Sequence, residues 1–573
     1  MDNNLELVFK DASTIEDIIM RNQGQLAAAK EATRLCREKH YRLSYHLNKA
    51  RSVLSSLPNE VISQIFLFMC APETSVWEFL CFPPTQFLIG SVCKEWRQIA
   101  WSTPHLWDNI EIQLVRKSCE TQIELLEEWI ERSGNLPLDI HIYSHGLFEA
   151  PWEAPPEAFT KIAEVYARWR SYHGHAVPGL AAELKRINAT CFPMLETLSL
   201  SEPIHAPPVN NPPDTTYQWN FLSAPALHNV LIEGPLKGVD IAINWGSLTC
   251  LTADFVLRQS PHNSKKQGYV SFHVLTSCTL LTKLELNLKD SRVSSTQQPH
   301  PCRFPHLKIL KIEGSADIVE YVLEWLTTPS LNELQIRLES IDITSEWEAS
   351  LIDLTTRSSC KIRSLSVIHS HKHPESDDEF VDMLRILSRD HPIDSLEIRS
   401  YGFTMSDNMV LLLTMQRDSE EQQDHLPLLK NFTYAGDISF SLRKYADMIN
   451  SRLIYEAQKS KENKIHRRRG TKKEPGDEYA EPDKEDENSD GADQLDNSSA
   501  STSNLNPLNF SVSYENLSWF GKQRPCILQS FYKELERAST RGKKFDFKYG
   551  QCWGENCDDI SSEKVYSSWH MDY

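Results

Sequence analysis

Two groupings of metal-ligating residue types stand out along the 573 residues. His369, His371 and His373 alternate, and Asp377, Asp378 and His391 follow closely. Zinc takes imidazole and carboxylate ligands, but in a fixed set of three or four held at characteristic spacing. Alternating histidines on a loop after a strand match no such set, so they read as solvent-facing side chains. Cys552 and Cys557, with Cys526 and His570, form the second grouping. Their spacing is wrong for a zinc knuckle, and the aromatics around them suit buried structural thiols better. No metal is assigned to either grouping. The chain also lacks a Gly-x4-Gly-Lys-Ser/Thr phosphate loop, a Gly-x-Ser-x-Gly elbow and a His-Glu-x-x-His pair, so nothing supplies an activated nucleophile. The expectation is a non-catalytic protein with no cofactor.

A chain this long exceeds one ordinary hydrophobic core, so several parts or one extended part must position its residues. With 40% hydrophobic residues, 14 Trp and 22 Phe, it has the material for a folded majority. The formal charge of −19 opposes a nucleic-acid partner, which needs clustered Lys and Arg to neutralise phosphates. The 13 scattered cysteines form no disulfide framework in so large a chain, which points to a reducing compartment. There is no signal-peptide pattern and no apolar run near the ~20 residues of a membrane span. The expected location is cytoplasm, nucleus or both, without a membrane partner.

From Ile19 apolar residues recur at steps of three and four through Leu26, Ala29, Cys36, Leu43, Leu47, Ala50 and Leu54, the stripe of one long helix. Asn22, Thr33 and His40 interrupt it, so a helix packed on its own chain is favoured over a coiled coil, which remains the alternative. Leu57-Pro-Asn-Glu-Val-Ile-Ser-Gln-Ile-Phe66 opens a second helix, because Pro58 suits a first turn where an amide hydrogen would be orphaned anyway. Val61, Ile62, Ile65 and Phe66 read as one apolar face. A further helix carries Leu88, Val92, Trp96 and Ile99 at helical spacing. Thr121-Gln-Ile-Glu124 is a capping box for a helix stopping at Gly134, Leu138, Ile140 and Ile142 alternate as a strand, and Ala158 to Trp169 reads as a helix.

From Pro193 a weak repeat Leu-x-x-Leu-x-Leu returns as Leu195/Leu198/Leu200, Leu227/Val230/Ile232, Leu281/Leu284/Leu286, Leu307/Leu310/Ile312 and Leu331/Leu334/Ile336. Ile362/Leu365/Val367, Ile393/Leu396/Ile398 and Leu429/Phe432/Tyr434 continue it, and Leu248/Leu251/Ala253 is a poorer copy. One such unit cannot bury its apolar side, whereas stacked parallel neighbours share a continuous core. The residue inside each Leu-x-Leu step then points to the opposite face. Those residues are Ser199, Leu231, Glu285, Lys311, Gln335, Ser366, Glu397 and Thr433. They make a polar surface of mixed sign that suits a protein target, with Glu285, Lys311, Gln335 and Glu397 as its candidate contacts.

Beyond Glu456 the composition turns basic and then acidic. Lys459 to Lys473 hold 8 bases against one acid, and Glu474 to Asp496 hold 11 acids against one base. Dense charge with little apolar material cannot offset ordering entropy, so a disordered linker is expected. The run Lys464 to Lys473 reads equally as a nuclear-import signal or as a partner for the acidic tract. Aromatics return from Phe510 to Tyr573, a segment expected to pack on the body.

The Leu57-Pro-Asn-Glu-Val-Ile-Ser-Gln-Ile-Phe helix followed by Val92-Cys-Lys-Glu-Trp-Arg97 resembles the F-box. Ala100-Trp-Ser-Thr-Pro-His-Leu-Trp107, Arg132-Ser-Gly-Asn-Leu-Pro-Leu138 and Arg168-Trp-Arg170 are similar to a large fungal family of F-box proteins. The likeness covers Leu54 to about Arg170. Ala71 to Phe87 is long for a minimal F-box, and the later repeats lack the Asn or Cys of regular leucine-rich repeats.

The resemblance implies a three-helix unit that docks on the Skp adaptor, and through it on a cullin and a RING subunit. Carried over by motif position, the adaptor contacts are Leu57, Pro58, Ile62, Ile65, Val92 and Trp96. The expected fold class is α+β to α/β, with N-terminal helices including the F-box followed by an irregular leucine-rich-repeat-like parallel β/α solenoid. The expected parts are 1–53 (the long helix), 54–110 (F-box), 111–455 (repeat domain), 456–509 (linker) and 510–573 (C-terminal segment). The expected function is a substrate receptor of an SCF-type ubiquitin ligase for an unknown protein target. The alternative is a non-degradative interaction scaffold.

Overall fold

The structure is a computed structural model of the chain. It describes residues 2–51, 57–70, 84–114, 119–144, 156–189, 191–201, 217–234, 236, 239–256, 270–288, 301–339, 346–369, 378–415, 425–441, 443–452, 454–455, 458, 509–514 and 546–549. These fall into two units, 1–110 with 124–138, and 111–123 with 139–573.

The first unit is helical. Helix α1 runs from Asp2 to Arg51, 50 residues without a break. Side chains described between 14 and 50 are exposed except that of Ser44, which is half-buried. The described part of the stripe expected to pack on its own chain, Ile19 to Ala50, is thus exposed. Helix α2 spans Asn59–Met69, and the Pro58 carbonyl accepts from the amides of Val61 and Ile62 at 3.1 and 3.2 Å, so the proline sits where its missing N–H costs nothing. Helix α3 is Thr85–Val92 and α4 is Lys94–Trp101. Between them Cys93 is fully extended, and its Sγ accepts from Trp96 N at 3.4 Å, capping the first turn of α4.

Ile62, Phe66, Ile89, Ile99, Ala100, Leu106 and Trp107 fill the core of these helices, joined by Leu126 and Trp129 of helix α5, Cys119–Arg132. Phe87, Trp107 and Trp129 meet edge to face, with centroids 5.5–5.8 Å apart, the geometry ring quadrupoles favour. Trp107 Nε1 donates to Ala100 O at 2.8 Å, and the Arg132 guanidinium lies 4.4 Å from the Trp101 ring and 4.7 Å from that of Trp107. Helix α5 begins at Cys119, earlier than the capping box implied, and its chain turns out at Gly134, whose φ of +57° is the left-handed stop that glycine provides.

The second unit is a large, mainly parallel sheet with helices. Its 15-stranded sheet follows chain order: β1 (Asn109–Leu114), β2 (Leu138–Ser144), β3 (Trp169–His175), β4 (Thr197–Ser201), β5 (Asn229–Glu233), β6 (Cys250–Val256), β7 (Lys283–Asn287), β8 (Ile309–Gly314), β9 (Glu333–Leu338), β10 (Ser364–His369), β11 (Ser395–Met405), β12 (Asn431–Ile438), β13 (Asn509–Tyr514) and β14 (Asp546–Tyr549). The two-residue strand Val270–Ser271 pairs beside β6.

From β3 onward neighbours are parallel, and the repeat residues stand in register. One row is Leu198, Val230, Leu251, Leu284, Leu310, Leu334, Leu365, Leu396 and Phe432, and the row two residues on is Leu200, Ile232, Ala253, Leu286, Ile312, Ile336, Val367, Ile398 and Tyr434. All are buried. The poorer copy at Leu248 lies in the same rows as the good ones, because an alanine at Ala253 still fits a row of larger neighbours.

Helices α6 (Pro156–Glu164) and α7 (Pro178–Arg186) flank β3, while α8 (Ala316–Trp325), α9 (Trp347–Ser358) and α10 (Asp378–Asp390) follow β8, β9 and β10. Helix α8 packs on α9, and α9 on α10, burying Ile318, Val319, Val322, Leu323, Leu351, Leu354, Phe380, Leu384 and Leu387.

The helix expected from Ala158 to Trp169 is corrected. It ends at Glu164, and Trp169 begins β3, fully buried and stacked on Tyr172 at 5.4 Å. The linker expected over 456–509 lies outside the described residues apart from 458 and 509, as do the basic and acidic runs. Residues 510–514 and 546–549 of the C-terminal segment, with Asn509 before them, extend the sheet. Among the described residues no helix is long and apolar enough to cross a membrane.

Candidate functional site

Helix α2 has two apolar sides. Ile62 and Phe66, four residues apart, point into the unit and are 6% and 1% exposed, with the Phe66 ring 5.1 Å from that of Trp96. Val61, Ile65, Phe68 and Met69, at i, i+4, i+7 and i+8, form the other side and stand exposed. Phe68 is 87% exposed, extreme for a residue type that normally buries most of its surface. Leu88 and Val92 of α3 and Trp101 of α4 are exposed as well.

Placement therefore splits the sequence-predicted adaptor contacts. Ile65 and Val92 are exposed apolar side chains, and Pro58 is exposed at the helix start. Leu57 and Trp96 are half-buried. Ile62 lies with Phe66 in the core of its own unit, so the single apolar face read across Val61, Ile62, Ile65 and Phe66 divides into an inward and an outward pair. The exposed Val61, Phe68, Met69, Leu88 and Trp101 lie outside the contacts that motif position implies. The signal was the second i, i+4, i+7 stripe on α2, masked by apolar residues on both sides of that helix.

The outward row of the sheet is also in register. Ser199, Leu231, Thr252, Glu285, Lys311, Gln335, Ser366, Glu397 and Thr433 follow one another across neighbouring strands, as strand alternation requires. Glu285, Lys311 and Gln335 line one open depression of about 460 Å³ with Glu233, Asp254, Glu313 and Arg337. Glu397 lies farther along the same row and outside that depression, accepting from Ser366 Oγ at 3.0 Å and Arg399 Nε at 2.6 Å.

Within the depression Glu285 sits between Lys283 at 3.0 Å and Lys311 at 2.9 Å, and accepts from the Thr252 hydroxyl at 3.3 Å. Partial burial works to raise its pKa, but the two ammonium groups outweigh it and hold the carboxyl below its usual range. Glu233 is displaced upward instead, by burial and by the nearby Asp254. Asp254 accepts from the Gly234 amide at 2.6 Å. This face offers alternating charges and amides, and chemically it can recognise polar side chains of a protein.

Near the start of the sheet, His141 and His173 stack with centroids 4.7 Å apart. Asp139 takes both Arg170 and the Ser171 hydroxyl, the latter at 2.7 Å. Burial, then the neighbouring His173, depresses His141 to about 4.

Of the histidine grouping seen in the sequence, His369, Asp378 and His391 are described, and they take part in no three-ligand cluster among the described residues. His369 is buried at the end of β10 beside Trp347, contrary to a solvent-facing expectation, while His371, His373 and Asp377 lie outside the described residues. His391 is buried, and its Nδ1 accepts from the Ile362 amide at 3.2 Å. Cys526, Cys552, Cys557 and His570 also lie outside them. Among the described residues no three metal-ligating side chains come together.

No protein-family description matches the chain. No curated protein matches it either.

Proposed function

We propose that the chain is a substrate receptor of an SCF-type ubiquitin ligase, holding the Skp adaptor through an F-box at α2–α4 and a protein target through the outward face of its sheet. The observation that carries this reading is Phe68, exposed beside Val61, Ile65 and Met69 on a helical unit whose core is already filled. A contiguous apolar face rimmed by polar residues marks a protein interaction site, and helices in such faces bind through a few buried anchors. The sheet we read as an irregular leucine-rich-repeat-like solenoid, supported by its in-register rows. A receptor of this kind does no chemistry: it raises the effective concentration of target lysines beside a charged ubiquitin-transfer enzyme.

The experiment is affinity purification of the tagged full chain beside its Ile65→Asp/Phe68→Asp variant. The expected result is recovery of the Skp adaptor and a cullin with the parent chain, loss of both with the variant, and accumulation of a co-purifying protein when the chain is deleted. Recovery of the adaptor by both forms refutes the docking face. Recovery of partners without a cullin, and without accumulation, favours the non-degradative scaffold.

A further inference from the structure

We propose that α1 pairs with α1 of a second copy of this chain as an antiparallel two-stranded coiled coil, centred between Ala27 and Ala28. This does not depend on the adaptor reading.

The stripe of α1 is a heptad seam. Ile15, Asn22, Ala29, Cys36, Leu43 and Ala50 repeat every seven residues, interleaved with Ile19, Leu26, Thr33, His40 and Leu47, which are the d and a positions of a coiled coil. Ile15, Ile19, Leu26, Leu43 and Leu47 are each 49–64% exposed. What the helix spends on its own chain leaves from the other side. Tyr45 Oη donates to Glu95 at 2.7 Å from an f position, opposite the seam. The ion pairs of Arg34 with Glu31 and of Arg42 with Glu38, both at 2.7 Å, use b, c and f positions.

Charges beside the seam identify the partner and its direction. Glu16, Lys30 and Arg37 occupy e positions, and none pairs with another described residue. Acid therefore flanks the seam early in the helix and base flanks it late. An antiparallel second copy brings Glu16 to Arg37, twice by symmetry, and Gln23 to Lys30. A parallel, in-register copy sets Arg37 against Ala32 and Lys30 against Gln25, leaving those charges unmatched.

The same register fits the core. Leu26 meets Ala29, Ile19 meets Cys36, Asn22 meets Thr33, and Ile15 meets His40. Large residues face smaller ones in the first two layers, which fills the seam without overpacking, and the two interrupting polar residues Asn22 and Thr33 face each other. Thr33 already bonds its hydroxyl to Ala29 O at 2.8 Å. A stable interface takes about 20–30 residues a side, and four positions in seven of a 50-residue helix supply about 28.

Sedimentation of the full chain tests this, with a mass near twice 65.9 kDa expected. Glu16→Arg and Arg37→Glu, both on the exposed helix surface, should each raise the dimer dissociation constant about tenfold, and the double variant should restore it. Orientation is read from oxidative cross-linking of the Ile19→Cys variant with peptide mapping. The antiparallel pair joins Cys36 to the introduced thiol. It keeps the two Cys36 residues about 26 Å apart along the axis, far beyond disulfide reach. A monomer at all concentrations up to about 50 μM, roughly the weak end of specific association, overturns the proposal. So does a Cys36–Cys36 bridge, or single charge reversals that leave the dimer unchanged.

Discussion

Two phenylalanines on α2, two positions apart, should report opposite things. Phe66 is 1% exposed and packs on Trp96 at 5.1 Å, whereas Phe68 is 87% exposed. Phe66→Ala empties a filled core site and should cost about 3–5 kcal/mol of stability in the helical unit. Phe68→Ala removes a ring that touches little in the free chain, so stability should stay within about 0.5 kcal/mol.

On docking, that exposed ring would be covered. Burying most of a Phe side chain stabilises by about 2 kcal/mol, so its loss should raise the adaptor dissociation constant about thirtyfold. Urea unfolding followed by tryptophan fluorescence, with Trp96 beside the altered site, gives the first quantity. Titration calorimetry with purified Skp adaptor gives the second. Equal adaptor affinity for Phe68→Ala and the parent chain would refute the assignment of the outer side of α2 as the docking face. An unchanged urea midpoint for Phe66→Ala would refute the packing from which that assignment follows.

Two further outcomes concern the sheet. Gly174 has φ +156°, and a Cβ there would lie 2.2 Å from the carbonyl oxygen of Ile142 on β2. Gly174→Ala must push backbone apart and should destabilise the sheet unit by on the order of 3 kcal/mol, and an unchanged denaturation midpoint would contradict that close approach. His141 is held near 4 in the folded chain against 6.5 for the free side chain, so between these values the unfolded chain binds more protons. Its contribution is therefore fully present above pH 6.5 and is lost as pH falls toward 4, reaching on the order of 3 kcal/mol. Urea midpoints measured from pH 7 to 4 should fall less steeply for His141→Gln, and parallel curves would count against it.

The inward rows of the sheet were readable from the Leu-x-x-Leu-x-Leu spacing, and so was the outward row containing Glu285, Lys311, Gln335 and Glu397. Strand alternation has a strict period of two, so naming the inward residues names the outward, mostly half-buried ones between them. Strand β3 was not readable. Arg170, Ser171, His173, Gly174 and His175 give it no apolar alternation, and it is a strand because β4 offers it a parallel edge and Trp169 and Tyr172 find a core.

On α2 the limit was of another kind. Both sides of the helix are apolar, so periodicity proposes a helix without an inward direction, and Val61, Ile62, Ile65 and Phe66 read as one face where the fold buries Ile62 and Phe66 and exposes Val61 and Ile65.

By itself the amino-acid order determined the elements whose pattern has one solution: the repeat strands, the outward polar row and the heptad stripe of α1. Tertiary structure decided which apolar side of α2 faces Trp96 and which faces solvent, and left the described stripe of α1 exposed. Those choices depend on the volume and position of neighbours distant in sequence, and hydrophobic burial is non-directional. A greasy side chain specifies that it be covered without specifying by what.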